Sequence, residues 1–323
     1  ANTTASNNTA VGKESLKANT TGDSNSAFGE ASLFSNTTGG NNTSIGRGSL
    51  ESNTTGDNNT SVGKDALKAN TTGTQNVAIG TLAMDANTTG SFSTSVGYNS
   101  LTSNTTGRNT AFGHTALATV TTGTQNTGIG DNTLASNTAS NNTALGYAAL
   151  NANTTGTKNT AVGSTALDAN TTADDNTAVG FDSLGANTTG SANTAVGREA
   201  MEANTTGANN TALGCAALAV QTTASNNTAI GFNALLANTT GTGGVAVGSG
   251  ALAANTTGSF NIAIGRATLD ANTTGEQNTA LGLSSLGANT TGSFNNALGV
   301  GALASNTTAS NNTAFGHNTL NAN

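Results

Sequence analysis

Residues 193–209 read N-T-A-V-G-R-E-A-M-E-A-N-T-T-G-A-N, and residues 159–175 read N-T-A-V-G-S-T-A-L-D-A-N-T-T-A-D-D. Aligning the chain on the glycine of N-T-A-V-G gives nineteen such positions, from Gly12 through Gly163, Gly180 and Gly197 to Gly316, spaced by 17 residues with a step of 16 occurring twice. Self-similarity at a fixed period marks an architecture in which each unit is one coil, unable to bury its apolar face alone and stabilised by its neighbours. The shared unit is N-T-A-[VILF]-G-x-x-A-L-x-A-N-T-T-G-x-x. Both short steps, after Gly97 and after Gly130, lose a residue just before the next Asn-Thr, as in Gly107-Arg108-Asn109 against Gly207-Ala208-Asn209-Asn210. That stretch therefore reads as a tolerant outer turn.

Each position suggests a local structure. Thr, a small residue and then Val, Ile, Leu or Phe precede the glycine, as in Thr177, Ala178 and Val179, which predicts a short strand. After the glycine, Ala, Leu, Lys, Glu and Asp predominate with few β-branched residues, as in Arg198 to Ala203. This composition favours one helical turn, with a second short strand as the alternative. Asn tolerates the left-handed region and Gly supplies positive φ, so Asn-Thr-Thr-Gly closes the unit as a turn. Two large apolar residues recur in each coil, as in Val162 with Leu167 and Leu213 with Leu218. Both columns are expected to face inward as stripes. Asn recurs seven residues past the glycine, broken by Val120 and Gln221, and in a second column from Asn8 to Asn312, broken by Ser93 and Gly244. Stacked amides of this kind can hydrogen-bond along the array.

The predicted fold is an all-β repeat, a parallel β-solenoid running over residues 1–323 as a single continuous array without terminal caps. At one strand spacing per coil it would be about 90 Å long. With only two large apolar residues per coil the core is thin, and small residues such as Ala166 and Ala169 offer a flat surface where copies could approach. Closed symmetry is the usual solution for identical chains. Residue 1 falls inside a repeat, so the chain reads as a fragment of a longer fibre.

Composition excludes several functions. Charged residues are 8% and aromatics 3% of 323 residues, with 42 Gly, no Pro and no Trp, unlike an ordinary enzyme domain. The net charge of −7 is spread thinly, leaving no basic footprint for nucleic acid. No apolar run approaches the ~20 residues of a membrane helix. Cys215 is the only cysteine, so no intrachain disulfide can form. The first position after the glycine is the most variable, holding Tyr98, His114, Tyr147, Phe181, Cys215, Phe232 and His317 among others, as an exposed site would. His114 and His317 lie twelve coils apart and cannot share a metal within one rod. Asp174 with Asp175 and Glu199 with Glu202 do not recur in register, so they read as solvated carboxylates and not as a calcium ladder or an acid–base pair. No catalytic, cofactor-binding or metal-binding residue is expected, and no enzyme.

The N-T-A-V-G and N-T-A-I-G units (Asn227 to Gly231) resemble the strand motif in the head repeats of trimeric autotransporter adhesins. The longer form is similar to repeat tracts of bacteriophage tail-fibre proteins, of the kind preceding endosialidase-type chaperone domains. The resemblance covers the whole chain and implies a homotrimeric, extracellular or virion-borne fibre of parallel β-coils, left-handed in the adhesin manner, located at a cell or virion surface. It implies contact with a host-cell surface or glycan through regions outside this segment, and it carries no functional residue. The coil here is three residues longer than the adhesin repeat. The expected function is a structural shaft. The alternative is an ice-binding or adhesive solenoid that uses Thr and Asn ladders such as Thr71-Thr72, Thr88-Thr89 and Thr105-Thr106.

Overall fold

The computed structural model describes residues 3–321. It contains nineteen three-residue strands, from β1 (Thr9–Val11) to β19 (Thr313–Phe315), each lying just before a repeat glycine. Contacts divide the chain into two compact units, Ala1–Asn159 and Thr160–Asn323. The first holds β1 to β9 (Thr143–Leu145) and the second β10 (Thr160–Val162) to β19. Within each unit every strand pairs in parallel with the next, column on column: Thr177 with Thr194, Ala178 with Ala195, Val179 with Val196. Each unit is therefore a parallel β-solenoid whose coil is the repeat. Neither unit has a helix among the described residues.

The expected helical turn after the glycine is replaced by an irregular turn, and backbone geometry shows why. The second and fourth residues past the glycine adopt left-handed φ in coil after coil, as in Ala31 (57°) and Leu33 (51°), or Glu199 (57°) and Met201 (52°). Each flip re-aims a peptide along the stacking direction. The Ala31 N–H donates backward to the Lys13 carbonyl at 3.0 Å, while the Leu33 and Ser35 N–H groups donate forward to Ser49 and Glu51 at 3.1 and 3.0 Å. A helix would spend those N–H groups inside the segment; here they tie neighbouring coils together. Bulky residues adopt this conformation at a cost of roughly 1–2 kcal/mol, which the inter-coil bonds and the burial of the Leu side chain offset.

The glycine before this turn has no substitute. Gly197 lies at φ 136°, and a Cβ built on it would stand 2.5 Å from the carbonyl oxygen of Gly214 in the next coil. One backbone rests directly on the next at this corner.

The core differs from expectation at one column. Side chains alternate along a strand, and in the three-residue strands the middle residue points in: Ala161, Ala178 and Ala195 are fully buried. Its two neighbours, Thr and Val in the typical unit, share the outer face. Leu167, Leu184, Met201 and Leu218 fill the opposite side and are fully buried, as expected. The space between them fits only a small strand residue: a Cβ on Gly128, which takes the Ala place in its coil, would lie 3.3 Å from Cγ of Leu117. Val179 is half-exposed, and Ala166 lies in the core and not on a surface.

Both asparagine columns are buried and hydrogen-bonded as amide ladders. Asn187 Nδ2 donates to Asn170 Oδ1 and to the Gly190 carbonyl, both at 3.0 Å, and Asn187 Oδ1 accepts from Asn204 at 2.8 Å. The second column turns its oxygens to the backbone: Asn193 Oδ1 accepts from the Asn210 N–H at 3.0 Å, and Asn193 Nδ2 donates to Gly207 O at 2.8 Å. Where Gln221 replaces Asn, its longer amide reaches Ala224 O and leaves Asn204 Oδ1 buried without a donor. Amides therefore occupy much of the interior that a wider solenoid would fill with hydrocarbon.

Candidate functional surface

With the interior closed by Ala, Leu and Asn columns, the residue before the glycine becomes the principal apolar feature outside. Ile45, Ile129, Leu145, Leu213, Ile264 and Leu281 are each 38–47% exposed, although stacked between like residues. They form a column on the outer face of the strands in each unit. Val77, Val245 and Ile262 replace the strand's first Thr and widen it locally. The sequence signalled this position by its apolar content but not the side on which it lies.

The Thr-Thr turns form a second outer row. The first hydroxyl of the pair is engaged along the stack, as where Thr54 Oγ1 donates to Thr71 O and Thr188 Oγ1 to Thr205 O, both at 3.0 Å. The second Thr of each of these pairs is exposed. The freely presented hydroxyl row is thus narrower than the paired motif suggests.

The variable column after the glycine is exposed or half-exposed and locally decorated. His114 stacks on Tyr98 with ring centroids 5.6 Å apart and places Nδ1 3.0 Å from Asp131 Oδ1, both side chains being more than half exposed. His317 lies beside the Asn318 amide. Cys215, half-buried, has its sulfur 3.5 Å from the Arg198 guanidinium, which also pairs with Glu199. Phe181 is exposed, as expected. No family model, curated protein or solved structure matches the chain. Its functional reading therefore rests on its own surface.

The carboxylates are not randomly scattered in the second unit. Burial, and then the charge of Asp182, push Asp168 above the usual carboxylate range, and Glu202 is raised by burial followed by Asp182 and Glu199. The sequence paired Glu199 with Glu202 by proximity in the chain; stacking adds Asp182 from the preceding coil. Asp174 donates its backbone N–H to Ser191 Oγ at 3.1 Å. Among the described residues no three His, Cys, Asp or Glu side chains are grouped as a metal would require, and no helix is long and apolar enough to cross a membrane.

Proposed function

We propose that this chain is the structural shaft of an extracellular or virion fibre, a spacer between an attachment tip and an anchor that lie outside the segment. The observation that carries the reading is the half-exposed Val/Ile/Leu/Phe column. The coil interior is complete without it, yet nearly every coil leaves one aliphatic or aromatic side chain partly in water.

Fully burying such a side chain is worth about 1.5–3 kcal/mol, so covering two-fifths of one contributes roughly 0.6–1.2 kcal/mol per coil. Association costs on the order of 4–15 kcal/mol before any gain appears. A single coil cannot drive it, whereas a long run of coils in register can. Identical chains satisfy that register automatically, because a partner with the same 17-residue period matches at every coil. Closed rotational symmetry leaves no column uncovered, and the resemblance to trimeric fibres favours three chains. A thin single-chain core held by amide ladders is in this way thickened by its neighbours, as a shaft needs.

Sedimentation equilibrium of the chain at micromolar concentration tests the proposal. A discrete trimer supports it, and a monomer at all concentrations rejects it. Measuring freezing hysteresis on the same sample tests the ice-binding alternative; the shaft reading expects none.

A further inference from the structure

The first unit departs from its own period at two places, after Gly97 and after Gly130, and the first departure opens a notch. The coil between Gly97 and Gly113 has 16 residues, the missing one falling beside Arg108. In a regular coil two consecutive Thr N–H groups donate to one carbonyl of the next coil, as Thr54 and Thr55 do to Thr71 O at 2.9 and 3.2 Å. Among the described hydrogen bonds, the N–H groups of Thr88, Thr89, Thr106 and Gly107 have no acceptor. The Asn ladder also breaks here. Asn104 Nδ2 keeps the bond to its own turn, at Thr106 O, at 3.2 Å, but among the described hydrogen bonds it makes none to Asn87 Oδ1, which accepts the Gly90 N–H at 3.1 Å. What remains is an open notch of about 510 Å3 with Thr89, Phe92, Thr106, Arg108 and Gln125 among its walls.

The walls have a definite chemistry. The Arg108 side chain is exposed and has no carboxylate partner among the described residues. In the two coils on either side the same column holds Gln75, Phe92, Gln125 and Asn141, so Arg108 is the one positive charge in this stretch of its column, on a chain of net charge −7. The unpaired N–H groups of Thr89, Thr106 and Gly107 add donors in the manner of backbone anion nests. Guanidinium presents a planar fork that fits a carboxylate or sulfate through two parallel bonds. Phe92, 54% exposed in the left-handed region, supplies an apolar wall. The Thr89 hydroxyl and the Gln125 amide make no side-chain hydrogen bond within the protein. The notch is open and lined mostly by polar residues, with Phe92 as its one aromatic wall, a lining suited to a hydrated, polar ligand and not to a hydrocarbon one.

We propose that this notch binds an acidic saccharide unit, a pyranose whose carboxylate or sulfate is held by Arg108 and the free N–H groups while the ring's C–H face lies against Phe92. This goes beyond the shaft reading. The shortened turn and its side chains make the site together. Thr121 and Thr122, before the other 16-residue coil, likewise have no acceptor among the described hydrogen bonds, but there Gln125 and Asn141 stand in the places of Phe92 and Arg108. A full-length coil would restore the Thr–Thr bonds.

Calorimetric titration of the full chain with glucuronate, glucose 6-sulfate, glucose and inorganic sulfate is the test. Saturable binding of at least one acidic sugar, at least tenfold tighter than glucose or inorganic sulfate, is expected, and the stronger of the two acidic sugars identifies the oxyanion. Arg108→Gln is expected to weaken it at least tenfold. Inserting one Ala after Gly107, which restores the 17-residue coil, is expected to abolish it with an unchanged circular dichroism spectrum. Absence of saturable binding by either acidic sugar overturns the proposal, as does binding that survives both variants. Inorganic sulfate binding as tightly as the sugars reduces the notch to a bare anion nest and overturns it equally.

Discussion

Replacing Asn187 by Asp is nearly isosteric and strikes the amide ladder at a single atom. The residue is fully buried, and its Nδ2 donates two hydrogen bonds, to Asn170 Oδ1 and Gly190 O. Losing both costs about 2 kcal/mol at about 1 kcal/mol each. The new carboxylate oxygen then faces two acceptors without a proton between them, and burying that charge without a donor adds at least about 2 kcal/mol. The sum, about 4 kcal/mol, corresponds to about a thousandfold in a local opening equilibrium. Repeat arrays open locally and not as one transition, so the assay is amide hydrogen exchange read on peptides covering residues 180–210, with peptides from residues 26–80 as the control. Protection is expected to fall about a thousandfold near neutral pH in the first set only. The deficit is also expected to shrink in acid. A carboxyl raised in the folded state contributes stability below its unfolded pKa of about 4 and loses it as pH rises through the folded pKa, because only the protonated form can donate to Asn170. A loss of protection under tenfold, or the same loss at pH 3 and pH 7, would refute the view that the ladder holds the coils together.

The two apolar columns are expected to separate experimentally. Leu184→Ala should cost about 2–5 kcal/mol of local stability, whereas Val179→Asp should change it by about 1 kcal/mol or less and instead weaken self-association in sedimentation. Two glycines with positive φ should also differ. Gly197→Ala, which forces a Cβ to 2.5 Å from the Gly214 oxygen, is expected to lose more than about 4 kcal/mol by hydrogen exchange. Gly250→Ala, at φ 70° with nothing within 4 Å of the new Cβ, should lose about 1 kcal/mol or less. Finally, Asp182→Asn should lower the carboxyls of Asp168 and Glu202 only part of the way to 3.8 and 4.5, because burial, the larger cause in both, remains; carbon-detected NMR titration follows the change. Both are raised in the folded chain, so their contribution to stability is present below those values and lost as pH rises through the folded pKa; the variant should lose less of it.

Periodicity was enough to read the coil, its length and its parallel stacking, because a unit recurring at one phase can bury its apolar groups only against copies of itself. The Asn columns and the buried Leu184 column followed from the same recurrence, but the glycine corner did not. Positive φ was expected in the Asn-Thr-Thr-Gly turn, whose Asn204 and Gly207 lie outside the left-handed region, and is found instead at Gly197 and at the second and fourth residues beyond it. The placement of Val179 did not. Alternation along Thr177, Ala178 and Val179 puts the first and third residues on one face, but hydrophobicity pulled the reading the other way, and the narrow coil, with room for only Ala opposite Leu, decided it. The missing helix has a similar origin. Residues 198–203 have helical composition, yet the backbone N–H groups of Glu199 and Met201 donate to Phe181 in the preceding coil and Ala217 in the following one. Propensity acts within six residues, whereas that choice is made by partners in the neighbouring coils. The notch beside Arg108 was legible as a missing residue, but only the stacked backbone shows which N–H groups the deletion leaves without acceptors.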